Sequence, residues 1–89
     1  MEEIVKIRER LRLLRSRHGL TQEEFAQIAG FNYKFYQSIE AGRKNRIWLE
    51  TVERLASAYG LETWQLLGPE IPEKTKPKQV VPKSKVHYR

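Results

Sequence analysis

Residues 21–42 read TQEEFAQIAGFNYKFYQSIEAG, and this stretch decides the fold. Thr21 has the chemistry of a helix N-cap, and Glu24, three positions on, completes a capping box. Phe25, Ala26 and Ala29 then fall on one helical face, which predicts a short helix to about Ala29. Gly30 ends it at a tight turn. Asn32 is a second N-cap and opens a helix to about Ala41, with Phe31, Tyr36 and Ile39 as core anchors. Two short helices joined by a Gly-containing turn of three or four residues make a helix-turn-helix unit.

Upstream, Ile4, Ile7, Leu11 and Leu14 give one apolar face over residues 2–17, and Gly19 closes that helix. Arg8, Arg12 and Arg17 read as its charged outer face. Downstream, Gly42 ends the third helix and Arg43-Lys44-Asn45-Arg46 follows as the most positive stretch of the body. A fourth helix is expected over 48–59, with Leu49, Val52, Leu55, Ala56 and Tyr59 as its stripe; Phe35 is expected to pack against it. Gly60 stops it, Leu61 packs back, and Thr63 to Leu67 form a short fifth helix. Trp64 reads either as a core residue or as an exposed dimer contact, and the second is favoured because Leu61, Leu66 and Leu67 can fill the core. The fold class is therefore all-α, five helices and no strand-period segment.

The composition changes at Gly68-Pro69. Residues 69–89 carry all four prolines, with Lys at 74, 76, 78, 83 and 85. Such a segment buries too little apolar surface to offset its ordering entropy. It is expected to be an extended, flexible basic tail behind a folded domain of 1–68.

The formal net charge is +6, which favours a polyanionic partner. Residues 1–68 hold 11 Lys and Arg against 9 Glu, so the excess lies mostly in the tail. Cysteine and aspartate are both absent. That leaves no disulfide, no thiol nucleophile and no cysteine-based zinc site, and it fits a reducing cytoplasm. His18 and His87 are isolated, and there is no Gly-rich phosphate loop or metal-ligand spacing. The expectation is a binding protein, not an enzyme, with no cofactor and no metal. No apolar run approaches the roughly 18 residues a membrane span needs, so no membrane partner is expected.

The quoted stretch, followed by LETVERLASAYGL at 49–61, resembles the lambda-repressor-like (Cro/C1, XRE-type) family of helix-turn-helix regulators. The resemblance covers residues 4–67 and rests on Gln22, Phe25-Ala26, Gly30, Ile39-Glu40, Gly42 and Leu55-Ala56. It implies a transcription regulator, more often a repressor, that sets its third helix in the DNA major groove and binds double-stranded DNA as a homodimer. Tyr33 and Lys34, then Gln37 and Ser38, would meet base edges. Gln22 would meet a phosphate, with Thr21 and Asn32 at the two helix starts, and Arg43, Lys44, Asn45 and Arg46 would lie along the backbone. Arg15 and Glu40 would form a structural ion pair. Tyr33 suits a thymine methyl or a phosphate and is not a bidentate reader of guanine or adenine. The alternative reading is a protein-interaction module, such as an antitoxin-like partner, since Tyr33, Phe35, Trp48 and Trp64 suit an interface.

Overall fold

The computed structural model describes residues 2–44 and 46–78, and among them the fold is helical throughout. The helices are α1 (Glu2–His18), α2 (Gln22–Ala29), α3 (Tyr33–Glu40), α4 (Leu49–Ala58) and α5 (Thr63–Leu67).

Local chemistry sets the helix ends. Thr21 Oγ1 accepts from the Glu24 N–H at 3.0 Å, and Glu24 Oε1 accepts from the Thr21 N–H at 2.9 Å. This reciprocal cap starts α2. At its far end Gly30 sits at φ 80°, a left-handed conformation that disfavours any residue with a Cβ. The Gly30 N–H then reaches Gln27 O and the Phe31 N–H reaches Ala26 O, which satisfies two terminal carbonyls. The same bond pattern closes α1, α3 and α4 at Gly19, Gly42 and Gly60. Asn32 Oδ1 starts α3 by accepting from the N–H groups of Lys34 and Phe35.

The core joins all five helices. Ile7, Leu11 and Leu14 come from α1, Phe25, Ala26 and Ala29 from α2, Tyr36 and Ile39 from α3, Val52, Leu55, Ala56 and Ala58 from α4, and Leu66 from α5. The Phe25 ring stacks on Tyr59 at 4.5 Å and meets Tyr36 edge-on at 5.1 Å. Each such side chain contributes about 1.5–3 kcal/mol by leaving water. Ala26 is 1% exposed, and its small size lets α3 approach α2 closely. Phe35 is half-buried against Phe31, 5.4 Å between ring centres.

Leu49 departs from its expected core role. Trp48, Leu49 and Glu50 are all exposed, so the first turn of α4 extends past the core that Val52 and Leu55 enter. Arginines of α1 also reach across to other elements. Arg12 donates to the Glu40 carbonyl, Arg10 to the Leu66 carbonyl and Arg17 to the Pro72 carbonyl.

The chain does not part from the body at Gly68-Pro69. Ile71 packs against the core as a half-buried side chain. His18 Nε2 and Thr75 Oγ1 are hydrogen-bonded at 2.6 Å. The Lys76 N–H donates to Tyr59 O at 3.0 Å and the Lys78 N–H to Ala58 O at 2.9 Å. These bonds satisfy terminal carbonyls of α4. Residues 71–78 thus form a strap across the ends of α1 and α4, held mainly by backbone groups that composition does not reveal. The remainder of the expected tail, 79–89, lies outside the described residues.

Candidate nucleic-acid interface

Glu40, the last residue of α3, is 1% exposed and gathers donors from three helices. Arg15 Nε and Nη2 reach its two oxygens at 2.6 and 2.8 Å. Gln22 Nε2 donates to Oε1 at 3.0 Å, and the Tyr36 hydroxyl donates to Oε2. Burial alone would raise the Glu40 carboxyl, but the bonds from Arg15, Tyr36 and Gln22 outweigh it and hold the group below the ordinary carboxylate range. The Arg15 guanidinium is correspondingly pushed up, first by its hydrogen bond to Glu40. Burial, and then the bond to Glu40, pushes the Tyr36 phenol up, so it stays a donor.

This hub fixes the geometry above it. An open crevice of about 530 Å³ lies between the starts of α2 and α3, lined by Arg15, Leu20, Thr21, Gln22, Glu23 and Tyr33. The structure thus brings Arg15, Thr21, Gln22 and Tyr33 to one surface. Gln22 has one N–H turned inward to Glu40 and keeps one N–H and its carbonyl oxygen. Thr21 and Asn32 spend side-chain oxygens as caps and keep their own donors.

The outward side of α3 carries Tyr33 and Lys34, both exposed, with Gln37 and Ser38 half-buried. Gln37 Nε2 donates to the Tyr33 oxygen at 3.2 Å, one turn away. Ser38 Oγ donates to Phe35 O at 2.6 Å and so keeps only acceptor capacity. Lys34 makes no side-chain hydrogen bond or ion pair among the described residues.

After α3 the chain runs through exposed Arg43, Lys44 and Arg46; Asn45 lies outside the described residues. Lys44 Nζ sits 5.2 Å from the Phe35 ring centre, a cation–π contact that ties this loop to α3. Ile47 packs against the core and anchors the loop's far end. Trp48 precedes α4 without a side-chain cap bond, because an indole N–H cannot accept from the helix's free N–H groups. Sequence reasoning missed the roles of Gln22, Tyr36 and Arg12 around Glu40. The signal was present for Tyr36, which stands one helical turn before Glu40.

Among the described residues no group of His, Cys, Asp or Glu could hold a metal ion, and no helix is long and apolar enough to cross a membrane.

A family model described as a helix-turn-helix domain matches residues 7–65. The HTH-type transcriptional regulator DdrOP3 of Deinococcus deserti is 40% identical over 63 residues, covering 71% of this chain and 48% of that protein. A Neisseria meningitidis serogroup B protein called a hypothetical transcription factor is 37% identical over 59 residues, 66% of this chain and 55% of its own length. The uncharacterized HTH-type transcriptional regulator y4dJ of Sinorhizobium fredii is 39% identical over 56 residues, 63% of this chain and 71% of its own length. The chain therefore spans about half the length of the first two of these relatives. No solved structure matches the chain significantly. With the match spanning α1 to α5, and the capped α2–turn–α3 unit at its centre, the chain belongs to the helix-turn-helix domain family of transcriptional regulators.

Proposed function

We propose that this chain binds double-stranded DNA as a transcriptional repressor, in the cytoplasm, with α3 in the major groove. One observation carries the reading: Arg15, Thr21, Gln22 and Tyr33 share one crevice at the starts of α2 and α3. A backbone phosphate seated there brings the outward side of α3 against base edges. Phosphate contacts position the protein, and base contacts select sequence. On this reading Tyr33, Lys34, Gln37 and Ser38 meet bases. Thr21, Gln22 and Asn32 meet phosphate on one side, and Arg43, Lys44, Asn45 and Arg46 on the other. Arg15 and Glu40 form the frame beneath them. The relatives named as transcriptional regulators support the same role. Two copies would occupy half-sites about 34 Å apart, one turn of the duplex, with Trp64 on α5 at the contact between them.

The test is a titration of the full chain on a random-sequence duplex at two salt concentrations. Binding at low salt that weakens steeply as salt rises is expected. Absence of binding at low salt refutes the proposal. It would favour a protein partner instead, a reading that draws on Trp48 and Trp64, 82% and 69% exposed.

A further inference from the structure

The strap lies beyond the stretch matched as a helix-turn-helix domain, which ends at residue 65. After a bend at Glu73, exposure alternates along it. Lys74, Lys76 and Lys78 are exposed, and Thr75 and Pro77 between them are half-buried. Pro77 fixes its own φ and biases Lys76 to an extended backbone. In an extended chain alternate residues share one side, about 6.6 Å apart. The three lysines therefore form a row about 13 Å long on the outer side of the strap.

The inner side is pinned to two helix ends. Thr75 Oγ1 is bonded to His18 Nε2 at 2.6 Å, and the Lys76 and Lys78 N–H groups reach the carbonyls of Tyr59 and Ala58. The His18 ring in turn stacks on Tyr59, 5.9 Å between ring centres. Lys78 Nζ gives one proton to Ser57 Oγ at 2.8 Å and keeps two. Lys74 and Lys76 make no side-chain hydrogen bond or ion pair among the described residues. A loose lysine tail must be ordered when it binds; here folding has already met that cost.

The row also has a place relative to the crevice at the starts of α2 and α3. His18, which holds Thr75, stands two residues before Leu20, and Leu20 lines that crevice with Thr21 and Gln22. The Cα atoms of His18 and Leu20 are thus within about 7 Å of each other. Lys74 adjoins Thr75 at this end of the row, and Lys78 lies at the other, beside Ser57 of α4. Over about 13 Å of duplex axis one DNA strand carries about four phosphates. Three ammonium groups in such a row can each meet a different one. We propose that Lys74, Lys76 and Lys78 form a second backbone-binding site, a prepositioned cationic track for duplex phosphates outside those held at the starts of α2 and α3. This rests on the DNA-binding reading above. The track reads no sequence; it raises affinity for any duplex and lengthens the segment bound.

The experiment compares the full chain with a variant carrying Lys74→Gln, Lys76→Gln and Lys78→Gln, each titrated on a random-sequence duplex over a range of salt. The slope of log affinity against log salt is expected to fall by about 2.7 in the variant, three contacts at about 0.9 each. Its melting temperature should match the wild type, because backbone groups, Thr75 and Ile71 seat the strap. A second readout locates the contact. Lysine amines of the wild type are acetylated with and without the duplex and mapped by mass spectrometry. Lys74, Lys76 and Lys78 should be shielded by DNA, while Lys6, about 18 Å along α1 from His18, stays reactive. An unchanged slope overturns the proposal, as does shielding of the three lysines no greater than that of Lys6. Either result with a wild type that binds leaves the DNA-binding reading in place. Failure of the wild type to bind any duplex at low salt overturns both.

Discussion

The Arg15 guanidinium closes on the Glu40 carboxylate through two bonds, 2.6 Å from Nε to Oε2 and 2.8 Å from Nη2 to Oε1. The pair joins α1 to the last residue of α3, with the carboxylate buried and the guanidinium partly exposed. It fixes the angle at which α3 leaves the core. Arg15→Met removes the main partner of a buried charge, at a cost of about 3–5 kcal/mol. In a domain of this size each kcal/mol lowers the Tm by roughly 4–8 °C. Thermal unfolding at neutral pH should therefore show a fall of more than about 10 °C.

The same carboxylate gives stability a pH dependence of known sign. Its folded pKa lies below the ordinary value of 4.5. The charged form therefore contributes stability that is fully present above that value and is lost as pH falls through it toward the folded value. Glu40→Gln is expected to be less stable than the wild type near neutrality, with the gap narrowing below about pH 4.5. Parallel denaturant titrations from pH 7 to pH 3 measure this, and a gap that does not narrow contradicts it.

The strap is testable through two glycines in the same backbone conformation. Gly19 and Gly60 have φ of +66° and +73°. A Cβ at Gly19 meets nothing within 4 Å, whereas one at Gly60 lies 3.3 Å from the Lys76 carbonyl oxygen. Alanine at either site costs about 1–2 kcal/mol for the left-handed backbone. Gly60→Ala should lose more than Gly19→Ala, and only Gly60→Ala should speed hydrogen exchange at the Lys76 and Lys78 amides. Equal losses and equal exchange would mean the strap is not seated there.

The loop after α3 makes a quantitative claim about salt. Arg43 and Arg46 are exposed, Arg43 just before the Lys44 that contacts the Phe35 ring and Arg46 just before the Ile47 that packs on the core. If each neutralises one phosphate, Arg43→Ala with Arg46→Ala lowers the slope of log affinity against log salt by about 1.8, since each contact contributes about 0.9. The melting temperature should not move. An unchanged slope removes this loop from the contact surface.

Most of the helical scaffold was legible because its punctuation is chemical. Thr21 with Glu24, Asn32, and the glycines at 19, 30, 42 and 60 mark helix ends by bonds that depend on residue type. The apolar stripes were legible too, except at Leu49, where periodicity continues past the point at which the core ends. Two features were hidden for a different reason. The strap is held by backbone groups of Pro72, Lys76 and Lys78 together with the Thr75 hydroxyl and the Ile71 side chain, an arrangement that a Pro- and Lys-rich composition does not announce. Gln22 and Tyr36 meet Glu40 because three helices converge there, which local spacing does not encode. The coupling of Tyr33 to Gln37 needed only a spacing of four, but the direction of their hydrogen bond came from the folded side chains.

Both tryptophans stand in solvent, Trp48 at 82% and Trp64 at 69% exposure, while the aromatic core is built from Phe25, Tyr36 and Tyr59. Indole emission therefore begins in a watery environment before any denaturant is added. Unfolding should change its colour little, and a melt followed at tryptophan wavelengths would miss most of the transition. Anything that covers α5 or the start of α4 should shift that emission to the blue. The protein carries an intrinsic optical probe of contact that is nearly blind to the state of its own core.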